Sequence, residues 1–491
     1  MSPEPKAESG PRRWRDWAVA LGPGAIVASL TIGSGELIFS SRAGALFGYR
    51  TLGLFALVLL LKWALVFSSA RYWIDTDDHP LRRWAELPGP RGWLPWTLLL
   101  IAAPAFPVWV SFHSGTVGTL LGAITGTGAA WNGNASLIWG ILALSGILIL
   151  SATGGYARQE RFQMTVVALM LVSVVVALIL LRPDWIDLIA GFFWMGPLEY
   201  PDWAATLPDF RDRPVWVESA TYAGVVGGSG YDYLAYVAWL RDKHGSAGSR
   251  RVQPAALRRL VAMDATVSFV AVLLFSAVFV ACGAILLAPQ HQVPAGSDLL
   301  TLQSQFVTSV GAWLKPLYFA GALLALAGTL YGTIEVAPAV FGELVRAVGS
   351  GDSPTMPGRS RRWSVGWCGT GALGILVFTL VGRWVTGSRE PFNLVALVTP
   401  ANLFTGVLAC GWISALNVWA DRTTPARPGL TRMGWALTAL NVLGAVVFCG
   451  IGAKGIWDQG GWVGVLVVAG CVSAGWLAAS LAGRRGRGIS R

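Results

Sequence analysis

Charged residues are scarce in this chain. Only 13% of its 491 residues are Asp, Glu, Lys or Arg, whereas 54% are hydrophobic and the mean hydropathy is +0.56. Soluble domains carry about 25% charged residues. No stretch has the composition of a separate soluble domain. The sequence therefore predicts an all-α polytopic protein whose main partner is the lipid bilayer.

Motifs for ATP-driven transport and for covalent catalysis are also missing. The sequence has no Walker motif, no nucleophile elbow and no signature of a phosphorylated aspartate. We therefore expect neither ATP-driven transport nor an enzyme. The five cysteines all fall in apolar segments without paired spacing, which predicts neither a disulfide framework nor a zinc site. No cofactor is expected.

Apolar segments recur along the whole chain, and twelve of them approach or reach the ~20 residues needed to cross a bilayer. They cover residues 17–47, 50–73, 93–121, 136–153, 161–181, 216–240, 261–288, 312–346, 363–383, 392–418, 434–453 and 461–483. With the N-terminus inside, most Lys and Arg residues fall in inside segments, as the positive-inside rule requires. The net charge of +11 is thus explained by orientation and not by nucleic-acid binding. Both termini are predicted to lie in the cytoplasm, and the protein is predicted to reside in the plasma (inner) membrane.

Two spans are interrupted by small residues that an acidic residue follows. Helix breaks at membrane depth are tolerated only where the backbone lines a cavity or is buried in protein. A carboxylate in a membrane helix costs about 2.5–3.5 kcal/mol on insertion scales and by default marks a site. The alternative is that the glycines only allow close helix packing. The predicted binding residues are Gly33, Ser34, Gly35 and Glu36 in the first span, and Gly228, Ser229, Gly230 and Asp232 in the sixth.

Paired breaks five helices apart indicate a transporter built from two inverted repeats. Residues 1–16 would form a cytoplasmic tail, residues 17–181 the first five-helix repeat and residues 182–215 an extracytoplasmic loop. The second repeat would cover residues 216–418. Residues 419–491 would add two helices and a basic cytoplasmic tail.

The run GPGAIVASLTIGSGELIFSSRAGALFGYRTLG, residues 22–53, resembles the first helix of the Nramp family of proton-coupled divalent-metal transporters. The Gly-Pro-Gly start, the spacing to the break and the segment RAGALFGYRTLG carry the resemblance. It implies a LeuT-type fold of ten core helices, here with two additional C-terminal helices. It also implies secondary active transport of a divalent cation, with protons as the coupling ion.

The sequence departs from the Nramp pattern at the motifs that bind metal. The family has Asp-Pro-Gly-Asn in its first helix, but residues 33–36 read Gly-Ser-Gly-Glu here. The family's Met-Pro-His of the sixth helix is replaced by Gly-Tyr-Asp at residues 230–232, and all seven methionines lie elsewhere. The family's ligands therefore do not carry over residue by residue.

A site without the thioether would consist of oxygen ligands, which suit magnesium, calcium and manganese. We expect Glu36 and Asp232 to be the charged metal ligands, with carbonyls around Gly33 and Gly228 completing the shell. The Gly-Ser-Gly turn and residues 230–232 also resemble the broken helices of amino-acid/polyamine/organocation transporters. A sodium- or proton-coupled carrier of an amino acid or other small organic solute is the alternative, and a non-transporting receptor is a remote third reading.

Other polar residues fall at membrane depth outside the two breaks. Glu335 and His113 are candidates for proton coupling, and Asn402 is a candidate to line the pathway. Each has a structural alternative: Glu335 could be hydrogen-bonded between helices, His113 could be bonded to a neighbouring carbonyl, and Asn402 could satisfy backbone groups freed by Pro400. Arg42 and Lys62 are interpreted as lying near helix ends, where long basic side chains reach the interface.

Overall fold

The computed structural model describes the chain over residues 23–33, 35–128, 130–153, 161, 165, 168–169, 176, 179–180, 182–207, 210–211, 213–244, 253–293, 315–349, 358–388, 394–426 and 430–488. Within these ranges the regular structure is helical and no strand occurs. The all-α prediction is thereby confirmed. Ser34, the N-terminal tail and most of the predicted fifth span lie outside the described residues.

The helices of the first half begin and end close to the predicted spans. They are α1 (Pro23–Thr31), a π-helical turn (Gly35–Ser40) that continues as α2 (Ser41–Phe47), α3 (Thr51–Thr76), the short α4 (Pro80–Trp84), α5 (Trp93–Ile124) and α6 (Ala135–Thr153). A further short helix, α7 (Trp185–Phe192), lies in the predicted extracytoplasmic loop.

The second half repeats the pattern of an interrupted helix followed by longer ones. It contains α8 (Val215–Val225), α9 (Gly230–His244), α10 (Pro254–Cys282) with a π-helical turn (Gly283–Leu287), α11 (Lys315–Val348), α12 (Gly358–Thr386), α13 (Leu394–Asn402), a third π-helical turn (Leu403–Leu408), α14 (Ala409–Thr423) and α15 (Trp435–Gly488). In the described part of the chain, seven helical stretches are long and apolar enough to cross a membrane. The count of twelve spans and the boundaries of the repeats stay predictions.

The last helical stretch, α15, covers both additional helices that the sequence predicts. Gly461 has a non-helical backbone conformation (φ 50°, ψ −136°) and separates the two parts. Their apolar side chains are largely exposed, for example Val463 at 69% and Leu466 at 66%. A soluble protein would bury such a surface, whereas lipid tails can cover it.

The two interrupted helices are enclosed by the other helices. α1 packs against α10 and α11, and the π-helical turn Gly35–Ser40 packs against α8 and α10. α9 packs against α3 and α11, while α5 contacts α6, α11, α12 and α15. Small residues allow some of these approaches, because a Cβ atom on Gly44 would overlap the carbonyl oxygen of Val280. This packing holds both breaks in the interior of the bundle.

Candidate substrate site

The first helix is interrupted where the sequence predicts a break. α1 ends at Thr31, Ile32 and Gly33 form a turn, and the π-helical turn begins at Gly35. Such π-helical turns occur frequently at functional sites. Gly33 packs tightly, because a Cβ atom there would overlap Oγ1 of Thr329 on α11. An aspartate at this place, as in the family motif, would require Thr329 or the surrounding backbone to shift.

The second break separates α8 from α9, and its backbone requires glycine. Gly227 has φ 83° and Gly228 has φ 95°, a left-handed region that glycine adopts without steric cost. The predicted break in the sixth span is thus confirmed. Its carbonyl groups have left the helical hydrogen-bond pattern and need other donors.

Asp232 and Ser229 together cap the N-terminus of α9. The backbone N–H of Ser229 donates to Oδ2 of Asp232 at 2.6 Å, and the N–H of Asp232 donates to Oγ of Ser229 at 3.4 Å. This reciprocal arrangement is a capping box. One carboxylate oxygen therefore has a structural role, while the other, Oδ1, stays outside the cap.

The two breaks lie against each other. A Cβ atom on Gly228 would meet Cγ2 of Thr31 at 2.7 Å and Oδ2 of Asp232 at 3.1 Å. Glu36 reaches across from the first break, and its Oε1 accepts a hydrogen bond from the N–H of Gly227 at 3.2 Å. Glu36 is fully buried, and its Oε2 has no hydrogen-bond partner among the described residues. The predicted residues of the two spans, as far as the structure describes them, are thus brought together.

A cavity lies between the breaks, and both hydroxyl-bearing and aromatic residues line it. Its described lining includes the hydroxyl-bearing residues Thr31, Ser229, Thr333 and Thr405, the aromatic residues Phe106, Trp109 and Tyr231, and His113. Asp232 is the one carboxylate among the described lining residues, which do not include Glu36. The two predicted acidic ligands therefore differ in access, since Asp232 faces the cavity and Glu36 lies behind it.

Lys62 is the main residue that the sequence interpretation placed wrongly. It lies in the middle of α3, fully buried, and not near a helix end. Its Nζ donates to the carbonyl oxygens of Gly224 at 3.1 Å, Val226 at 2.7 Å and Gly228 at 2.7 Å. The break supplies acceptors that water would otherwise provide, so the ammonium has no need to reach the interface. A lone lysine inside the run LGLFALVLLLKWALVF was the signal, because intramembrane charges are functional by default.

The ammonium of Lys62 also attracts the two predicted acidic ligands, Glu36 and Asp232. With both carboxylates ionised, the three groups carry a net charge of −1. No group of three or more His, Cys, Asp or Glu residues that could hold a metal occurs in the described part of the chain. Any cation held here must therefore use hydroxyl, carbonyl or water oxygens beside the carboxylates.

Both carbonyl groups expected in the metal shell already accept hydrogen bonds. The carbonyl of Gly33 accepts from the N–H of Leu37 at 3.0 Å, and that of Gly228 accepts from Lys62. Tyr233 donates its hydroxyl to the carbonyl of Gly227 at 2.6 Å. The carbonyl oxygen of Gly33 retains a second lone pair, whereas that of Gly228 also accepts from the Tyr233 hydroxyl at 3.4 Å. The second break is therefore well supplied with internal donors.

The structure separates the two candidates for proton coupling. His113 lines the cavity and stacks on Trp109 with 5.6 Å between ring centroids. Glu335 accepts a hydrogen bond from Ser151 at 2.6 Å and forms an ion pair with Arg361 at 2.6 Å, which ties together α6, α11 and α12. Glu335 is not among the described lining residues. Its position matches the structural alternative.

Asn402 lies beside α8, close to the second break. Its Nδ2 donates to the carbonyl oxygen of Thr221 at 3.4 Å, and its Oδ1 is buried without a partner among the described residues. A Cβ atom on Gly224 would overlap the Asn402 amide at 2.5–2.8 Å. Asn402 thus contacts the backbone behind the cavity, and it is not among the described residues of the lining.

Arg42 lies near a helix end, as interpreted, but it does not reach the interface. It is buried in α2 and pairs with Glu218 of α8 at 2.9 Å, while Arg213 reaches the same carboxylate at 2.9 Å. The guanidinium also lies over the ring of Phe210, 4.7 Å from its centroid. A buried partner on another helix therefore replaces the interface as the environment of this charge.

Comparisons with known proteins agree with this architecture. The family model of natural resistance-associated macrophage protein-like (Nramp) proteins matches residues 24–380. The manganese transporter of Eremococcus coleocola, solved in complex with an aromatic bis-isothiourea substituted compound, superposes with a TM-score of 0.70 at 15% identity, covering 98% of this chain and 97% of that chain. MhsT, solved in complex with L-phenylalanine, superposes with a TM-score of 0.52 at 15% identity, covering 88% and 97%.

No curated protein sequence matches the chain significantly. The structural similarities confirm the LeuT-type fold that the paired breaks and the first-helix resemblance predict. The family match covers well over half of the chain. The chain belongs to the Nramp-like family of membrane transporters.

Proposed function

We propose that this protein is a secondary active transporter of a hard divalent cation, which binds in the cavity between the two broken helices. The observation that carries the proposal is the position of Asp232, a carboxylate on the cavity wall at the break between α8 and α9. Family membership supports divalent-cation transport, and the superposed relative from Eremococcus coleocola is a manganese transporter.

The chemistry of the lining favours a hard ion over a soft one. The hydroxyl-bearing residues Thr31, Ser229 and Thr333 line the cavity together with Asp232, and no methionine is among the described residues of the lining. Magnesium, calcium and manganese prefer such oxygen ligands, whereas softer ions gain from sulfur. Few carboxylates reach the cavity, so the ion would keep part of its water shell. We expect magnesium and manganese to be better substrates than cadmium.

We further propose that uptake is coupled to protons and that His113 is the coupling residue. His113 lines the cavity, whereas Glu335 is held in an ion pair with Arg361. Imidazole changes its charge near physiological pH more readily than other side chains do. From the distribution of the basic residues we also propose that both termini lie in the cytoplasm. The protein itself would reside in the plasma (inner) membrane.

The test is metal uptake into proteoliposomes by wild type and by Asp232→Asn. Asparagine retains an oxygen that can accept the cap hydrogen bond from Ser229, but it removes the charge that faces the cavity. We expect manganese or magnesium uptake to fall at least about tenfold, which corresponds to about 1.4 kcal/mol of binding free energy. Asp242→Asn is the matched control, because Asp242 lies on the same helix with its side chain 54% exposed.

Full uptake by Asp232→Asn, with a normal melting temperature, would contradict the proposed role of the carboxylate. The same vesicles should be offered labelled amino acids without any divalent metal. Accumulation of an amino acid, together with failure of every divalent cation, would replace the metal proposal by the organic-solute alternative.

A further inference from the structure

The break between α8 and α9 contains a cation site that a side chain of the protein already fills. The carbonyl oxygens of Gly224, Val226 and Gly228 point at one centre, the Nζ atom of Lys62, from 2.7 to 3.1 Å. An ammonium group has three N–H donors and no acceptor, so three carbonyls satisfy it completely. We propose that Lys62 is a resident cation that permanently occupies this carbonyl site in place of a dissolved ion.

The geometry of the three carbonyls identifies the class of ion that Lys62 replaces. Carbonyls released at a broken membrane helix are the groups that coordinate coupling ions in transporters of this architecture. Oxygen ligands lie about 2.3–2.6 Å from calcium and 2.0–2.1 Å from magnesium. The distances around Nζ are longer, so the site fits a larger monovalent cation such as ammonium or potassium. It adjoins the cavity that Asp232 lines, because Gly224 and Gly228 are also among the described lining residues.

The ammonium of Lys62 is covalently attached to α3, which explains why this site does not exchange its cation. Lys62 is fully buried, and its aliphatic stem packs against the break, where a Cβ atom on Gly227 would lie 3.5 Å from Cδ. The side chain enters from α3, a helix that packs against α9. The ammonium thus connects α3 to the break and holds positive charge near Glu36 and Asp232 without an ion from solution.

Removing the Lys62 side chain would leave the carbonyl site without its cation, and electrostatics predicts the effect. Three buried carbonyls lose the ammonium donor, and only that of Gly228 keeps the Tyr233 hydroxyl, at 3.4 Å. Glu36 and Asp232 lose a positive charge that attracts them. Buried polar groups without a partner are costly, so a small cation that enters the space would bind there and stabilise the fold. The wild-type protein has no such vacancy and should not respond to the identity of a monovalent cation.

The experiment is chemical rescue of purified Lys62→Ala in detergent. Thermal unfolding is followed in ammonium, methylammonium, potassium, sodium or choline chloride at one ionic strength. We expect the melting temperature of Lys62→Ala to lie below that of wild type in choline and to rise saturably with ammonium, methylammonium or potassium. Wild type should give the same value in all five salts. Lys454→Ala removes an exposed lysine, 56% accessible, and should behave as wild type does.

Two results would overturn the resident-cation proposal. One is a folded Lys62→Ala protein that is indifferent to every cation, and the other is a wild-type protein with its own saturable monovalent-cation dependence. If Lys62→Ala does not fold, Lys62→Gln tests the charge, since its amide keeps two donors. A Lys62→Gln protein as stable as wild type would also overturn the proposal, whereas a lower melting temperature raised by ammonium would support it. None of these measurements depends on metal uptake, so they stand apart from the proposed transport function.

Discussion

The two helix breaks occupy corresponding positions in the two halves, but different forces stabilise them. The first break is held by packing, because Gly33 lies against Thr329 and its carbonyl is bonded within its own segment by Leu37. The second break is held by hydrogen bonds from other elements, above all from Lys62. A break in a membrane helix can thus be stabilised either by close packing or by hydrogen bonds from other elements.

The comparison also shows how the two breaks depend on each other. The acidic residue of the first break, Glu36, supports the backbone of the second by accepting from Gly227. The acidic residue of the second break, Asp232, caps its own helix and faces the cavity. Equivalent positions in the sequence therefore carry different roles, with one carboxylate behind the cavity and one on its wall.

The largest expected effects come from adding a methyl group at each break. Gly228→Ala forces a non-glycine residue to φ 95° and against Thr31. Backbone strain of this kind costs about 1–3 kcal/mol, and overpacking adds about 1–3 kcal/mol. Gly33→Ala meets only the steric part, against Thr329. Thermal unfolding should therefore rank Gly228→Ala as less stable than Gly33→Ala.

Removing the neighbour separates these two causes. Gly33→Ala combined with Thr329→Gly should be close in stability to Thr329→Gly alone, because the two overlapping Thr329 atoms are gone and only the Ala325 carbonyl oxygen stays near, at 3.0 Å. Gly228→Ala combined with Thr31→Ser removes the overlapping methyl group, but the backbone strain remains. Equal rescue at both breaks would refute the distinction between a packed and a polar break.

The variant Glu36→Gln tests whether the first break contributes charge to the site. Glutamine keeps an oxygen for the N–H of Gly227, so we expect a change in stability of less than about 1 kcal/mol. The net charge beside Lys62 and Asp232 changes from −1 to 0 when the carboxylates are ionised. We expect divalent-cation uptake to fall about tenfold in proteoliposomes.

Glu86→Gln is the control for this experiment, because Glu86 is 46% exposed and pairs with Arg83 at the surface. Unchanged uptake by Glu36→Gln would mean that the first break serves packing and backbone support alone. The proposed divalent-cation site would then rest on Asp232 without a second carboxylate.

The sequence was sufficient for the parts of the site that are local. Small residues followed by an acid marked both breaks, and their spacing predicted two repeats. The order Ser229-x-x-Asp232 is also a recognisable capping-box pattern, although it was interpreted as a ligand set. These features involve residues close together in the chain, so no knowledge of the fold is needed to see them.

The remaining features depend on contacts between distant segments. Hydropathy assigns an isolated charge such as Lys62 or Arg42 to the nearest helix end, because the sequence does not show an acceptor on another helix. The acceptors here are the backbone of α8 and its break for Lys62 and the carboxylate of Glu218 for Arg42. The approach of Thr329 to Gly33 is equally invisible before the helices are placed.

The smallest effect is expected for Ser229→Ala, which tests how much the cap of α9 contributes to the second break. Alanine removes the hydroxyl that accepts from the N–H of Asp232, but the backbone donor to Oδ2 remains. The lost hydrogen bond is long, 3.4 Å, so the cost should lie near the lower end of the ~0.5–2 kcal/mol typical of N-cap replacements. Thermal unfolding measures this cost, and manganese or magnesium uptake measured in parallel should be retained. Loss of uptake without a comparable loss of stability would indicate that the Ser229 hydroxyl is a ligand of the cation. Its main contribution would then be to cation binding in the cavity and not to the cap of α9.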